Sequence, residues 1–163
     1  MGLQIPGELA DLLNDLGYTW PKSDEERLFQ LGRDWIGFAS TLTAIRQDGD
    51  AIAASVTSGN QGQAIEAFRS KVSADDSASA VLDRGTTGAQ VIGAGLIMCA
   101  GLVLTLKINV IIQLTILAAE IIEALATAPE TFGGSLLEIP VFKKLTDMAI
   151  NLLINEAMEV LLE

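Results

Sequence analysis

Residues 28–60 read LFQLGRDWIGFASTLTAIRQDGDAIAASVTSGN, and their spacing decides the fold. Leu28, Leu31, Trp35, Phe38, Leu42, Ile45, Gly49, Ile52 and Val56 follow one another at alternating steps of three and four residues, then the pattern stops at Ser58-Gly59-Asn60. A 3.5-residue repeat keeps one stripe of a helix against a partner helix over many turns, so these positions form a packing seam. The glycine-marked break lets the chain fold back, and Ile65, Phe68 and Val72 resume at helical spacing. The expectation is a long helical hairpin over residues 23–84, with Gly59 giving the tip its tight turn.

Ser23 followed three residues later by Glu26 reads as a capping box, and Asp24 and Glu25 add negative charge where the helix dipole favours it. From there to Val56 a helix spans roughly 50 Å at 1.5 Å per residue. Gly49, between Asp48 and Asp50, weakens it by about 1 kcal/mol relative to alanine. Upstream, Pro6, Leu9, Leu12, Leu13 and Leu16 before Gly17 predict a short amphipathic helix over 6–16. Tyr18-Thr19-Trp20-Pro21 connects the two, its aromatics pinning the short helix to the bundle.

Downstream, Arg84-Gly85-Thr86-Thr87-Gly88 reads as a boundary or flexible joint before an almost continuously apolar helix over 89–126. Such a helix needs cover on most of its faces, which either a core position among other helices or a bilayer supplies. Residues 91–106 form an uncharged run of 16, short of the roughly 20 that span a membrane, and Lys107 interrupts the continuation. Ala89, Gly93 and Gly101 are small residues that let a neighbouring helix approach closely. Pro129, Gly133 and Gly134 break the run, and a final helix over 140–162 carries Phe142, Leu145, Met148, Ala149, Leu152, Leu153 and Leu161 on its apolar face. The fold class expected is all-α: one domain over 1–163, an elongated helical bundle containing the long hairpin and the long apolar central helix.

Composition excludes much chemistry. The 163 residues contain no histidine and a single cysteine, Cys99, so histidine triads, thiolate zinc sites and internal disulfides are ruled out. Ten basic against 21 acidic residues give a net charge of −11, which disfavours nucleic acid and anionic membranes as partners. The charge is uneven: residues 85–126 carry only Lys107, Glu120 and Glu123. Val91-Ile92-Gly93-Ala94-Gly95 begins like a dinucleotide fingerprint, but Met98 stands at the third-glycine place, so helix packing is the reading. Glu120 and Glu123 share a helix face without the further carboxylates and histidines a di-metal bundle site needs. No catalytic residue, metal ligand or cofactor site is expected, and no basic, apolar signal peptide opens the chain.

The turn stretch Val56-Thr57-Ser58-Gly59-Asn60-Gln61-Gly62-Gln63-Ala64-Ile65-Glu66-Ala67-Phe68 resembles the Trp-x-Gly family of type VII secretion substrates. Gly59, Ala64 and Phe68 match its glycine, small and aromatic positions, and Thr57 stands where the tryptophan belongs. Trp35-Ile36-Gly37 spells the motif literally but lies in mid-helix, with Trp35 on the seam. A wider likeness links Gly2-Leu3-Gln4-Ile5-Pro6-Gly7-Glu8-Leu9, Leu16-Gly17-Tyr18-Thr19-Trp20-Pro21, Gly62 to Phe68, Ile92-Gly93-Ala94-Gly95-Leu96 and Ser135 to Lys143. Together these look like the amino-terminal Trp-x-Gly-like domain of large actinobacterial polymorphic toxins. The resemblance implies a non-enzymatic export-targeting and assembly module recognised by the type VII machinery. It would be cytoplasmic before export and then secreted or at the cell surface, with a toxin domain downstream. Its implied turn motif is Thr57, Ser58, Gly59, Gly62, Ala64 and Phe68. Its implied partner is another helical-hairpin protein or a second copy. The family's export signal, Tyr-x-x-x-Asp/Glu, is absent: Tyr18 is the only tyrosine and Lys22 lies four residues on. The alternative function is a membrane-inserting or channel-forming module using residues 91–126.

Overall fold

The computed structural model describes residues 2–162. Met1, Glu163 and the Leu161 side chain lie outside the described residues. The chain is an all-α helical bundle: α1 (Gly7–Asp15), α2 (Glu25–Gly59), α3 (Gln63–Val72), α4 (Ala78–Thr127), a 3-10 turn (Gly134–Glu138) and α5 (Ile139–Leu162). Its contacts gather in two compact units, one made of residues up to Arg27 together with those from Cys99 on, the other of Leu28–Met98.

In the first unit, Leu13, Val110, Leu114 and Ile150 form the buried core, with Ile5, Leu9, Leu12, Leu16, Tyr18 and Trp20 packed against it. The short helix and its aromatic connector thus face α4 and α5. Tyr18 Oη donates to Asp147 Oδ1 at 2.8 Å, and Trp20 Nε1 donates to the Leu3 carbonyl at 3.3 Å. Burial raises the Tyr18 phenol above its ordinary 10.0, and accepting Asp147 reinforces the shift.

Lys107 does more than interrupt an apolar run. Its side chain is 1% exposed, and Nζ donates to Glu25 Oε2 at 2.8 Å and to the Ser23 carbonyl at 2.6 Å. The ammonium also lies 5.7 Å from the Trp20 ring centroid, within cation–π range. Burial alone would raise the Glu25 carboxyl. Hydrogen bonds from the Leu3 amide and the Lys107 ammonium outweigh it and hold the group at about 2. The start of α2 is correspondingly arranged differently from the expected capping box. Asp24 Oδ1 accepts the Arg27 amide at 3.1 Å, and Ser23 serves Lys107 through its carbonyl.

In the second unit, α2 meets the first half of α4. Gly32 and Gly93 meet backbone to backbone: a Cβ on either would stand 2.8 Å from the other's carbonyl oxygen. Ala39 and Ala89 are buried in the same unit, whereas Gly101, in the other, has open space around it. Arg46 Nε reaches Asp83 at 3.7 Å further along. The joint expected at Arg84–Gly88 is continuous helix, because α4 starts at Ala78. Ser77 caps it, its Oγ accepting the Ala80 amide at 3.2 Å. Two interior glycines cost about 1 kcal/mol each, a penalty that packing against α2 overrides. Arg84 meanwhile reaches back to the Asp75 carbonyl at 3.0 Å and ties down the α3–α4 turn.

The apolar helix is not wrapped as its hydropathy demands. Only 17% of its most apolar 18-residue window is buried, and Leu104, Ile108, Ile112 and Ile116, at four-residue steps, are all exposed.

Candidate functional site

The hairpin tip is built from the end of α2, a three-residue connector and α3. Its turning glycine is Gly62, at φ +116°, and not Gly59, which closes α2 without a positive φ. An L side chain at φ +116° is sterically strained, so Gly62 is the position that needs glycine. Its carbonyl accepts the Ile65 and Glu66 amides, starting α3. The last carbonyls of α2 find side-chain donors: Asn60 Nδ2 bonds Val56 O at 2.9 Å, and Arg69 bonds Thr57 O at 3.4 Å. Thr57 Oγ1 bonds back to Ala53 O at 3.0 Å and Ser58 Oγ to Ser55 O at 3.2 Å, so both hydroxyls serve the helix. Ala64 is exposed.

Phe68 lines an open apolar groove of about 390 Å³ beside the tip, with Ile45, Ile52, Val72 and Leu82 on its walls. Arg46 and Lys71 stand at its edge, engaged by Asp50 and Asp83 and by Asp76 respectively.

The seam residues divide into two sets. Leu28, Trp35 and Leu42 are half-buried, but Leu31, Phe38, Ile45 and Ile52 are 45%, 49%, 52% and 66% exposed, and Val56 is exposed as well. The buried positions of α2 in this unit are Gly32 and Ala39, each one residue after an exposed seam residue and therefore about 100° around the helix. α4 consequently packs beside the expected stripe and leaves one row of it open. Trp35 holds Phe38 in an edge-on contact, ring centroids 6.0 Å apart.

The glycines of the apparent dinucleotide fingerprint lie inside α4, Gly93 spent on the crossing with Gly32. Glu120 and Glu123 line a small cleft with Thr127, Glu138 and Phe142, and no group of three or more His, Cys, Asp or Glu among the described residues could hold a metal ion. The geometry on display is that of surfaces: a tip, a groove and an apolar row.

A family model, the WXG100 like domain, matches residues 5–143, most of the chain. The chain belongs to this family. Members are helical proteins associated with type VII secretion, secreted through that system and generally non-enzymatic, and helical-hairpin dimer partners go with the family. No curated protein and no solved structure matches the WXG100-like chain significantly. The pairing of Lys107 with Glu25 is not legible in the sequence, since neither carries a motif; the one signal for it is a single lysine in a stretch otherwise free of basic residues.

Proposed function

We propose that this chain is the non-catalytic export-targeting and assembly module of a secreted bacterial polymorphic toxin. The type VII machinery recognises it as a folded helical surface, and a toxin domain follows it in the parent protein. The observation that carries the reading is the exposed row Leu31, Phe38, Ile45 and Ile52 in a WXG100-like chain: a helix face with helical-partner spacing that its own unit leaves open. Large apolar side chains left in a row mark protein-interaction surfaces. Thr57 and Gly62 shape the tip, and Phe68 joins its groove to the row.

The test is export. The tagged chain, expressed in a host with an intact type VII system, is expected in the culture filtrate, and in the cells of an isogenic host lacking that system. Equal extracellular amounts from both hosts refute the proposal.

One observation favours a second reading, membrane insertion of residues 91–126. Among the described residues, α4 is the helix long and apolar enough to cross a bilayer, with a mean hydropathy of 2.2 in a window that is only 17% buried. Insertion would have to draw Lys107 away from Glu25 and Ser23, a cost of several kcal/mol. Liposome flotation separates the readings: recovery only in the soluble fraction, without detergent, removes the second.

A further inference from the structure

We infer that the open face of α2 is a coiled-coil docking site for a helix of another protein, one whose flanking positions are basic, and that it disfavours a second copy of this chain. The inference rests on the proposed assembly role and names the partner's chemistry.

Geometry comes first. Leu31, Asp34, Trp35 and Phe38 by themselves enclose an open depression of about 330 Å³ on the surface of α2. They stand at i, i+3, i+4 and i+7, the four-residue arrangement that receives one knob of a facing helix. Among the described residues of this unit, these four are its whole lining. With Trp35 and Leu42 at position a of a heptad, the exposed row Leu31, Phe38, Ile45 and Ile52 is position d, repeated at strict seven-residue steps. A strict heptad row fits a supercoiled helix and not a strand or an irregular loop.

Charge then selects the occupant. The flank on the e side, Gly32, Ala39, Arg46 and Ala53, is turned inward: Gly32 and Ala39 are buried, and Arg46 and Ala53 are half-buried. The g flank stays outside and holds Asp34, Thr41, Asp48 and Ser55, so its only charges are two carboxylates. Neither Asp34 nor Asp48 has a hydrogen-bond or ion-pair partner among the described residues, and Asp34 is itself a wall of the knob hole. A helix seated there places its own flank against them, and lysine or arginine at those places gains what glutamate loses. A second copy brings the opposite. Antiparallel pairing centred on Thr41 sets Asp34 of each copy against Asp48 of the other, in a chain already carrying a net charge of −11.

The experiment uses the full chain and two synthetic 28-residue helices, both with leucine and isoleucine at a and d, one flanked by lysine and the other by glutamate. In 50 mM salt the lysine-flanked helix is expected to bind at least tenfold more tightly. Asp34→Lys with Asp48→Lys should reverse the order. That reversal separates local pairing from general attraction, because the variant remains strongly acidic. Phe38→Asp should abolish binding of both helices while the circular dichroism of the chain stays unchanged. Equal binding of the two helices, binding of neither, or full binding to Phe38→Asp would each overturn the inference. So would sedimentation of the chain alone as a dimer that Phe38→Asp dissolves. A negative result here leaves the export test untouched, and a chain that binds the helix but is not exported sinks the proposed function while leaving this surface standing.

Discussion

Lys107→Met removes one half of the most completely buried ion pair in the described residues. Glu25, whose side chain is 9% exposed, would keep the Leu3 amide as a donor but lose the ammonium 2.8 Å away, and the Ser23 carbonyl would lose its donor too. Removing one partner of a buried pair costs about 3–5 kcal/mol, because the remaining charge stays desolvated. A carboxyl held at about 2 instead of its ordinary 4.5 corresponds to stabilisation on the order of 3 kcal/mol from all its partners together, the retained Leu3 amide included, so the share that depends on Lys107 is smaller than that sum. Urea unfolding followed at 222 nm should therefore show the midpoint fall by about 1.5–2.5 M at an m-value near 2 kcal/mol/M. The sign with pH also follows. The folded-state value is depressed, so the contribution is complete above 4.5 and disappears as pH falls towards 2, and wild type and variant should converge there. Replacing both partners, Lys107→Met with Glu25→Leu, should recover most of the loss, since a packed apolar pair carries no desolvation penalty. A single variant within about 0.5 kcal/mol of wild type at pH 7, inside the range of ordinary surface substitutions, refutes the reasoning.

Three further outcomes are expected. Gly62→Ala should destabilise the chain by about 1–2 kcal/mol because φ is +116° there, whereas Gly59→Ala, at a helical position with open space around it, should be neutral or slightly stabilising in the same melts. Gly93→Ala should cost a net 1–2 kcal/mol, about, despite better helix propensity, because its Cβ would stand 2.8 Å from the Gly32 carbonyl oxygen; thermal unfolding that rises would count against the crossing. Tyr18→Phe should cost about 1 kcal/mol, and in wild type the ultraviolet titration midpoint of the single tyrosine should lie above the ordinary 10.0, the direction set by burial and Asp147.

Much of the architecture is legible in local patterns. The heptad run from Leu28 to Val56, Pro6 before the leucines of α1 and the glycines near residue 133 each encode a helix or a stop through local geometry alone. Two local signals mislead. Gly85 and Gly88 carry the composition of a joint, yet the helix is continuous through them because Ser77 caps it eight residues before Gly85 and α2 packs along it. Gly59 carries the family's turn position, yet the positive φ falls on Gly62, because α2 keeps its helical bonds to its last residue and side chains such as Asn60 take up the freed carbonyls. The open row on α2 was written in the sequence as a seam, but which of two adjacent stripes meets α4 depends on where Gly32 and Gly93 let the backbones touch.

By itself the sequence determined that the chain is all-helical, free of histidine chemistry and furnished with an apolar row at heptad spacing, because periodicity and composition act within a few turns. Only the tertiary structure decided that Lys107 pairs with Glu25 across 82 residues of sequence and that Leu31, Phe38, Ile45 and Ile52 remain uncovered. Both depend on which helix faces meet, and a pair of glycines, by permitting the closest approach, draws small residues inward and leaves the larger ones facing out.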